Sequence, residues 1–156
     1  WLPMPEKLVQ TLQDLKSFMM GNWVSRQNEL ALLDMTLYTS NIPNSVEELD
    51  QKILGIVNQY SIFPRGEEYK MYCAFLHIFG GGYEAKYYSY MWAELLEADV
   101  FQTIKKAWIF NPEIWSAYKE KILIPWTRKP AAELFFDFMQ RGPSDEALMK
   151  KYGLLA

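Results

Sequence analysis

Residues Ser45–Gln59, SVEELDQKILGIVNQ, decide the fold class. Ser45 and Glu48 form a capping box, in which the serine oxygen accepts an orphan amide hydrogen while the glutamate reaches back. Asn41-Ile-Pro-Asn44 in front of it reads as a turn. A segment opened in this way is a helix, expected to run to about Gln59.

Outward from that helix the same signals recur. Toward the amino terminus, Pro5–Met20 begins with Pro and Glu and carries Leu8, Leu12, Leu15 and Met19 at helical spacing, with Gly21 as its stop. A second helix is expected from Asn22 to about Ser40, with Leu30, Leu33 and Leu37 on one stripe. Toward the carboxyl terminus, Tyr60–Glu68 with Pro64-Arg-Gly66 is loop, and Tyr69–Phe79 reads as short helix rather than strand. Gly80–Gly82 breaks the chain, and Tyr83 to about Trp108 reads as the longest helix. Asn111-Pro-Glu113 starts another, with Asn as N-cap and Pro at the first helical position, ending near Leu123. Pro125–Pro130 is loop and Ala131–Gln140 helix. Pro143-Ser-Asp-Glu146 opens a last short helix that ends at Gly153. No alternation of period two persists, so the expectation is all-α: a bundle of about seven helices over residues 1–156, with no domain boundary.

The 156 residues have room for one domain with a core, and half of them are hydrophobic, too many for a disordered chain. Net charge is −3 with both signs interspersed, so there is no electrostatic footprint for nucleic acid or an anionic membrane. Apolar runs such as Leu30–Leu33 fall far below the roughly 20 residues of a membrane span. The single cysteine, Cys73, excludes a disulfide within the chain and a cysteine-based zinc framework. It fits a reducing, cytoplasmic setting. The chain opens on Trp1-Leu-Pro rather than methionine, with no signal peptide before the first helix, so a truncated or processed amino terminus is expected.

One stretch stands apart from ordinary core: His77–Glu94, HIFGGGYEAKYYSYMWAE. It holds the chain's sole histidine, a triple glycine and four tyrosines. On a helix beginning near Tyr83, positions 83, 87 and 90 share one face, while Tyr88, Met91, Trp92 and Leu95 fall on others and read as core. The bland reading of the tyrosine face is aromatic packing with hydroxyls reaching water. The sharper reading is a row of uncharged hydrogen-bond donors beside a loop that lets another backbone approach. The glycines match neither the phosphate-loop nor the dinucleotide pattern. Cys73 and His77, four residues apart, fall two ligands short of a zinc site and lack an orienting third group for thiol catalysis. Glu94, Glu97 and Asp99 read as a solvated helix face.

His77, Gly81-Gly82-Tyr83, Tyr87-Tyr88, Tyr90 and Trp92 resemble the substrate-binding segment of the thimet oligopeptidase and oligopeptidase A family of zinc metallopeptidases. The family pattern is close to H-x-F-x-G-G-Y-x-A-x-Y-Y-x-Y-x-W. The resemblance continues through Ala98-Asp99, Phe110-Asn111, Phe138-Met-Gln-Arg141-Gly-Pro143 and Leu148-Met-Lys-Lys-Tyr-Gly153. Upstream it takes in Pro3-Met-Pro5 and the two helices that follow, nearly the whole chain. It implies that this is the C-terminal part of a mostly helical catalytic domain that hydrolyses short peptides as an endopeptidase or peptidyl-dipeptidase.

In that family a His-Glu-x-x-His helix and a downstream glutamate bind zinc, which a chain with one histidine cannot reproduce. The resemblance therefore implies a parent enzyme whose zinc ligands lie outside this chain, and a chain inactive alone. By the same resemblance Tyr90 is the donor to the oxyanion and His77 the second catalytic candidate. Tyr83 and Tyr87 bind substrate, and Gly81 and Gly82 form the loop against the peptide. Expected partners are the peptide, the N-terminal remainder of the same enzyme and, through uncovered apolar faces, other copies of the chain. The alternative is a non-catalytic helical interaction module that keeps the fold. Two departures stand out: the family's Gly-Gly-Ser loop is replaced by Pro125-Trp-Thr-Arg128, and a glycine before the late arginine is Gln140.

Overall fold

The computed structural model describes residues 3–155, and no strand occurs among them. In order they form α1 (Glu6–Leu15), α2 (Met20–Thr39), α3 (Val46–Tyr60), α4 (Leu76–Phe79), α5 (Ser89–Lys106), α6 (Pro112–Tyr118), α7 (Ala131–Met139) and α8 (Glu146–Lys151). A 3₁₀ turn, Met71–Ala74, precedes α4, and a π turn, Lys119–Leu123, extends α6 to the expected end. Apart from the single-turn α4, seven α-helices are present among the described residues, so the all-α expectation holds.

Local chemistry accounts for most boundaries. Ser45 Oγ accepts the amide of Glu48 at 3.2 Å, and the Glu48 carboxylate accepts the amide of Asn44 at 2.8 Å. The capping box thus closes one residue earlier than its usual form. Asn111 Oδ1 accepts the amide of Glu113 at 2.9 Å, with Pro112 at the first position of α6. The break between α1 and α2 differs from the sequence expectation. It falls at Lys16–Met19, with Met19 left-handed at φ 57°, and Gly21 lies inside the first turn of α2. At the end of α7 the left-handed residue is Gln140, φ 57°. Its side-chain Nε2 donates to the carbonyls of Phe136 and Asp137 at 3.2 and 2.8 Å. Glycine is the usual occupant of such a position.

The chain divides into two compact units, one reaching to Met91 and the other beginning at Trp92. The division lies within α5, a stretch with neither proline nor glycine, so no sequence signal marks it. In the first unit Leu30, Leu33, Ile53, Ile56, Val57, Tyr72, Phe75 and Ile78 form the core. Leu33 and Val57 are fully buried there, each stabilising the unit by roughly 1.5–3 kcal/mol. In contrast α1 buries nothing, and its Leu8, Leu12 and Leu15 are exposed.

The second unit has its own cluster of Val100, Ile104, Phe135 and Phe138. Beside it is a largely apolar hollow of about 510 Å³, lined by residues that include Trp115, Tyr118 and Trp126. The acidic face of α5 is less solvated than its sequence suggests. Glu94 and Glu97 pair with Lys151 at 3.1 and 2.9 Å. Asp99 is buried, held by both terminal nitrogens of Arg141 at 2.6 and 2.7 Å and by the amide of Ser144 at 2.9 Å.

Candidate functional site

The glycine stretch turns the chain back on itself. A Cβ at Gly81 would stand 2.8 Å from the His77 carbonyl oxygen, and Gly82 is left-handed at φ 79°. The amide of Tyr83 donates to that same carbonyl at 3.2 Å. The closely approaching backbone that the glycines permit is therefore the chain's own, at His77. This reversal carries Tyr83 to the imidazole, with ring centroids 6.3 Å apart.

Tyr83–Tyr88 is not helical, which corrects the expected helix from Tyr83. Amides 86 and 89 bond to carbonyls 83 and 86 in successive turns, Ala85 is left-handed at φ 54°, and α5 begins only at Ser89. The longest helix is consequently α2, not the one carrying the tyrosines. Tyr88 and Trp92, read as core, are about half exposed, and Met91 and Leu95 are half-buried.

The three site tyrosines nevertheless converge, because the turn does what helical spacing was expected to do. Tyr83 and Tyr90 stack at 4.9 Å, and Tyr87 meets Tyr90 edge-on at 5.1 Å. The exposed His77 ring stands 6.0 Å from Tyr87 and 6.3 Å from Tyr90, close to perpendicular to both. Beneath them the buried Phe75 presents its edge to Tyr87 at 5.1 Å.

The support for this cluster was missed by sequence reasoning, which saw only the leucines of α2. Asp34, fully buried, accepts the amide of Ala85 with one carboxylate oxygen and that of Tyr87 with the other, each at 2.9 Å. One turn on, the Tyr38 hydroxyl donates to the carbonyl of Ile78. The Tyr87 hydroxyl donates to Gln27 Oε1 at 3.1 Å. Glu29, also buried, takes the Tyr69 hydroxyl at 2.9 Å and pairs with Arg26. The available signal was an acid on either side of the apolar run Leu30–Leu33, because a buried carboxylate requires partners.

The hydroxyls of Tyr90 and Tyr87 are held above the ordinary tyrosine value. Hydrogen bonding to Tyr83, then loss of solvation, then the neighbouring Tyr83 and Tyr87 push the Tyr90 hydroxyl up to about 12. Burial raises Tyr87, opposed by the positive charge of Arg26. Both are donors at neutral pH. Cys73 is exposed in the 3₁₀ turn. Among the described residues no group of three or more His, Cys, Asp or Glu side chains could hold a metal ion. The zinc implied by the resemblance thus finds no ligand set in these residues. Among them, too, no helix is long and apolar enough to cross a membrane.

Residues 2–154 match Peptidase family M3. The chain is 31% identical to oligopeptidase A of Salmonella typhimurium, over 97% of its own length and 22% of that protein's. It is 34% identical to the organellar (chloroplastic/mitochondrial) oligopeptidase A of Arabidopsis thaliana, over 98% of its length and 20% of that protein's. It is 35% identical to the "Probable cytosolic oligopeptidase A" of the same plant, over 98% of its length and 22% of that protein's. The chain therefore spans about a fifth of the length of the curated relatives it matches. With the match running almost from end to end, this chain belongs to peptidase family M3.

Proposed function

We propose that this chain is the peptide-binding, C-terminal part of a zinc-dependent oligopeptidase that hydrolyses short peptides in the cytoplasm, and that it is inactive alone. One observation carries the reading: three tyrosine rings and the sole imidazole meet at a glycine turn, with the Tyr90 hydroxyl held above the ordinary tyrosine value. Uncharged donors suit a peptide carbonyl, and they suit better the negative oxygen that replaces it when the bond is attacked. Tyr90 is the oxyanion donor and Tyr83 and Tyr87 hold the peptide. Gly81 and Gly82 form the loop alongside it, and His77 is the second catalytic group. The names of these three relatives, each an oligopeptidase A, support the substrate class. No step through zinc is assigned to these residues, since its ligands would come from outside this chain.

The reading frame and the kinetics test this. The coding region upstream should run in frame into a His-Glu-x-x-His helix; a start codon with no such motif would leave a helical interaction module instead. The chain alone, with zinc and an internally quenched peptide, should show no turnover above background. In the family-length protein Tyr90→Phe should lower kcat by about 10²–10³. An unchanged rate would return Tyr90 to aromatic packing.

A further inference from the structure

We propose that Asp34 is a positioning residue for the tyrosine cluster: with Tyr38 one turn along α2, it fixes the turn that carries Tyr83 and Tyr87 and so places the Tyr90 hydroxyl. This rests on the reading that Tyr90 donates to the peptide. The turn is poor in local backbone bonds. Between Tyr83 and Ser89 the local bonds use the amides of Lys86 and Ser89. The amides of Ala85 and Tyr87 are taken by Asp34 instead, one on each oxygen.

The carboxylate thus gives Tyr87 the acceptor that a helical ladder would have supplied, and it meets Ala85, an amide that a helix from Tyr83 would have left open. An apolar residue at position 34 would leave two donors unmet, and an unmet buried donor is costly. Ala85, the first of the two bonded residues, is left-handed, a conformation that persists only where its surroundings enforce it. The other end of the segment is held from the same helix, by Tyr38 on the carbonyl of Ile78. Asp34 and Tyr38 are four residues apart, hence on one face of α2. That face grips the histidine-to-tyrosine segment at Ile78, Ala85 and Tyr87. A side chain 51 residues away in sequence from Ala85 therefore decides where the donors stand.

Asp34→Asn is the direct test, because the amide keeps the shape and one acceptor but turns a donor toward the other N–H. Hydrogen exchange measured by NMR on the chain should be at least about tenfold faster at Ala85 and Tyr87, with Leu33, Ile53 and Val57 unchanged. This corresponds to losing about 1.4 kcal/mol of local protection. Full protection at both amides in a folded variant overturns the proposal. Should Asp34→Asn unfold, Tyr38→Phe tests the same face without touching a buried position. The ring titration of Tyr90, read by NMR, should then fall from about 12 toward 10, and an unmoved titration counts against the proposal.

In the family-length protein, Asp34→Asn combined with Tyr90→Phe should be within about twofold of Tyr90→Phe alone, since both act through one hydroxyl. Multiplying effects would mean that Asp34 acts elsewhere. If the exchange result holds but the protein cleaves no peptide, the positioning stands and the peptidase reading fails.

Discussion

Each unit buries an aspartate, and the two are used differently. Asp34 in the first unit spends both oxygens on main-chain amides of a turn, whereas Asp99 in the second takes an arginine fork and one amide. Neutral amides impose direction without bringing a counter-charge, so Asp34 shapes the backbone that displays the tyrosines. The fork at Asp99 ties α5 to the connection between α7 and α8, and its value is stability. Removing each partner should therefore move different observables: tyrosine geometry in the first unit, resistance to denaturant in the second.

The largest stability effect is expected at that fork. Arg141→Met strands a buried carboxylate, which costs 3–5 kcal/mol where both partners are buried. Arg141 is 46% exposed, so about 2 kcal/mol is expected, read as a shift in urea midpoint for the second unit. A loss below about 0.5 kcal/mol would make the pair ornamental. The pH dependence follows from the same contact. Arg141 holds the Asp99 carboxyl below the usual carboxylate range, helped by the Ser144 amide and opposed by burial. A depressed folded value gives stability that is complete above the unfolded value near 4 and lost as pH falls through the folded one. Acid titration of the wild type should show this loss below about pH 4, and Arg141→Met should lack most of it.

Smaller effects separate the three consecutive glycines before Tyr83. Gly81→Ala drives a methyl into the His77 backbone, which cannot swing aside, and should cost about 1–2 kcal/mol. Gly82→Ala is strained by its φ of 79° and should cost about 1–2 kcal/mol. A Cβ on Gly80 meets nothing within 4 Å, so Gly80→Ala should stay within about 0.5 kcal/mol. Equal costs at all three would show that the turn is not held against His77.

The sequence made the helices legible where chemistry is local. Ser45, Asn111 and Pro112 open α3 and α6 as expected, since a cap needs only neighbours in the chain. The grouping of His77, Tyr83, Tyr87 and Tyr90 was legible too, but for a mistaken geometric reason. Helical spacing and a turn pinned by Asp34 both bring those rings together, and periodicity cannot distinguish them. What stayed hidden were the long-range partners: Asp34 to residues 85 and 87, Glu29 to Tyr69, and Asp99 to Arg141. A carboxylate among leucines announces that it must be paired, not with what.

Gln140 carries a lesson about how such a chain can change. The resembled family pattern has glycine before the late arginine, a residue that meets a left-handed backbone by having no Cβ. Here a glutamine holds that conformation and bonds the carbonyls of Phe136 and Asp137 with its own amide. The helix stop thus admits two exchangeable solutions, one that removes the side chain and one that makes it long enough to reach back. Alanine supplies neither, and Gln140→Ala should be poorer than either by about 1 kcal/mol in urea denaturation.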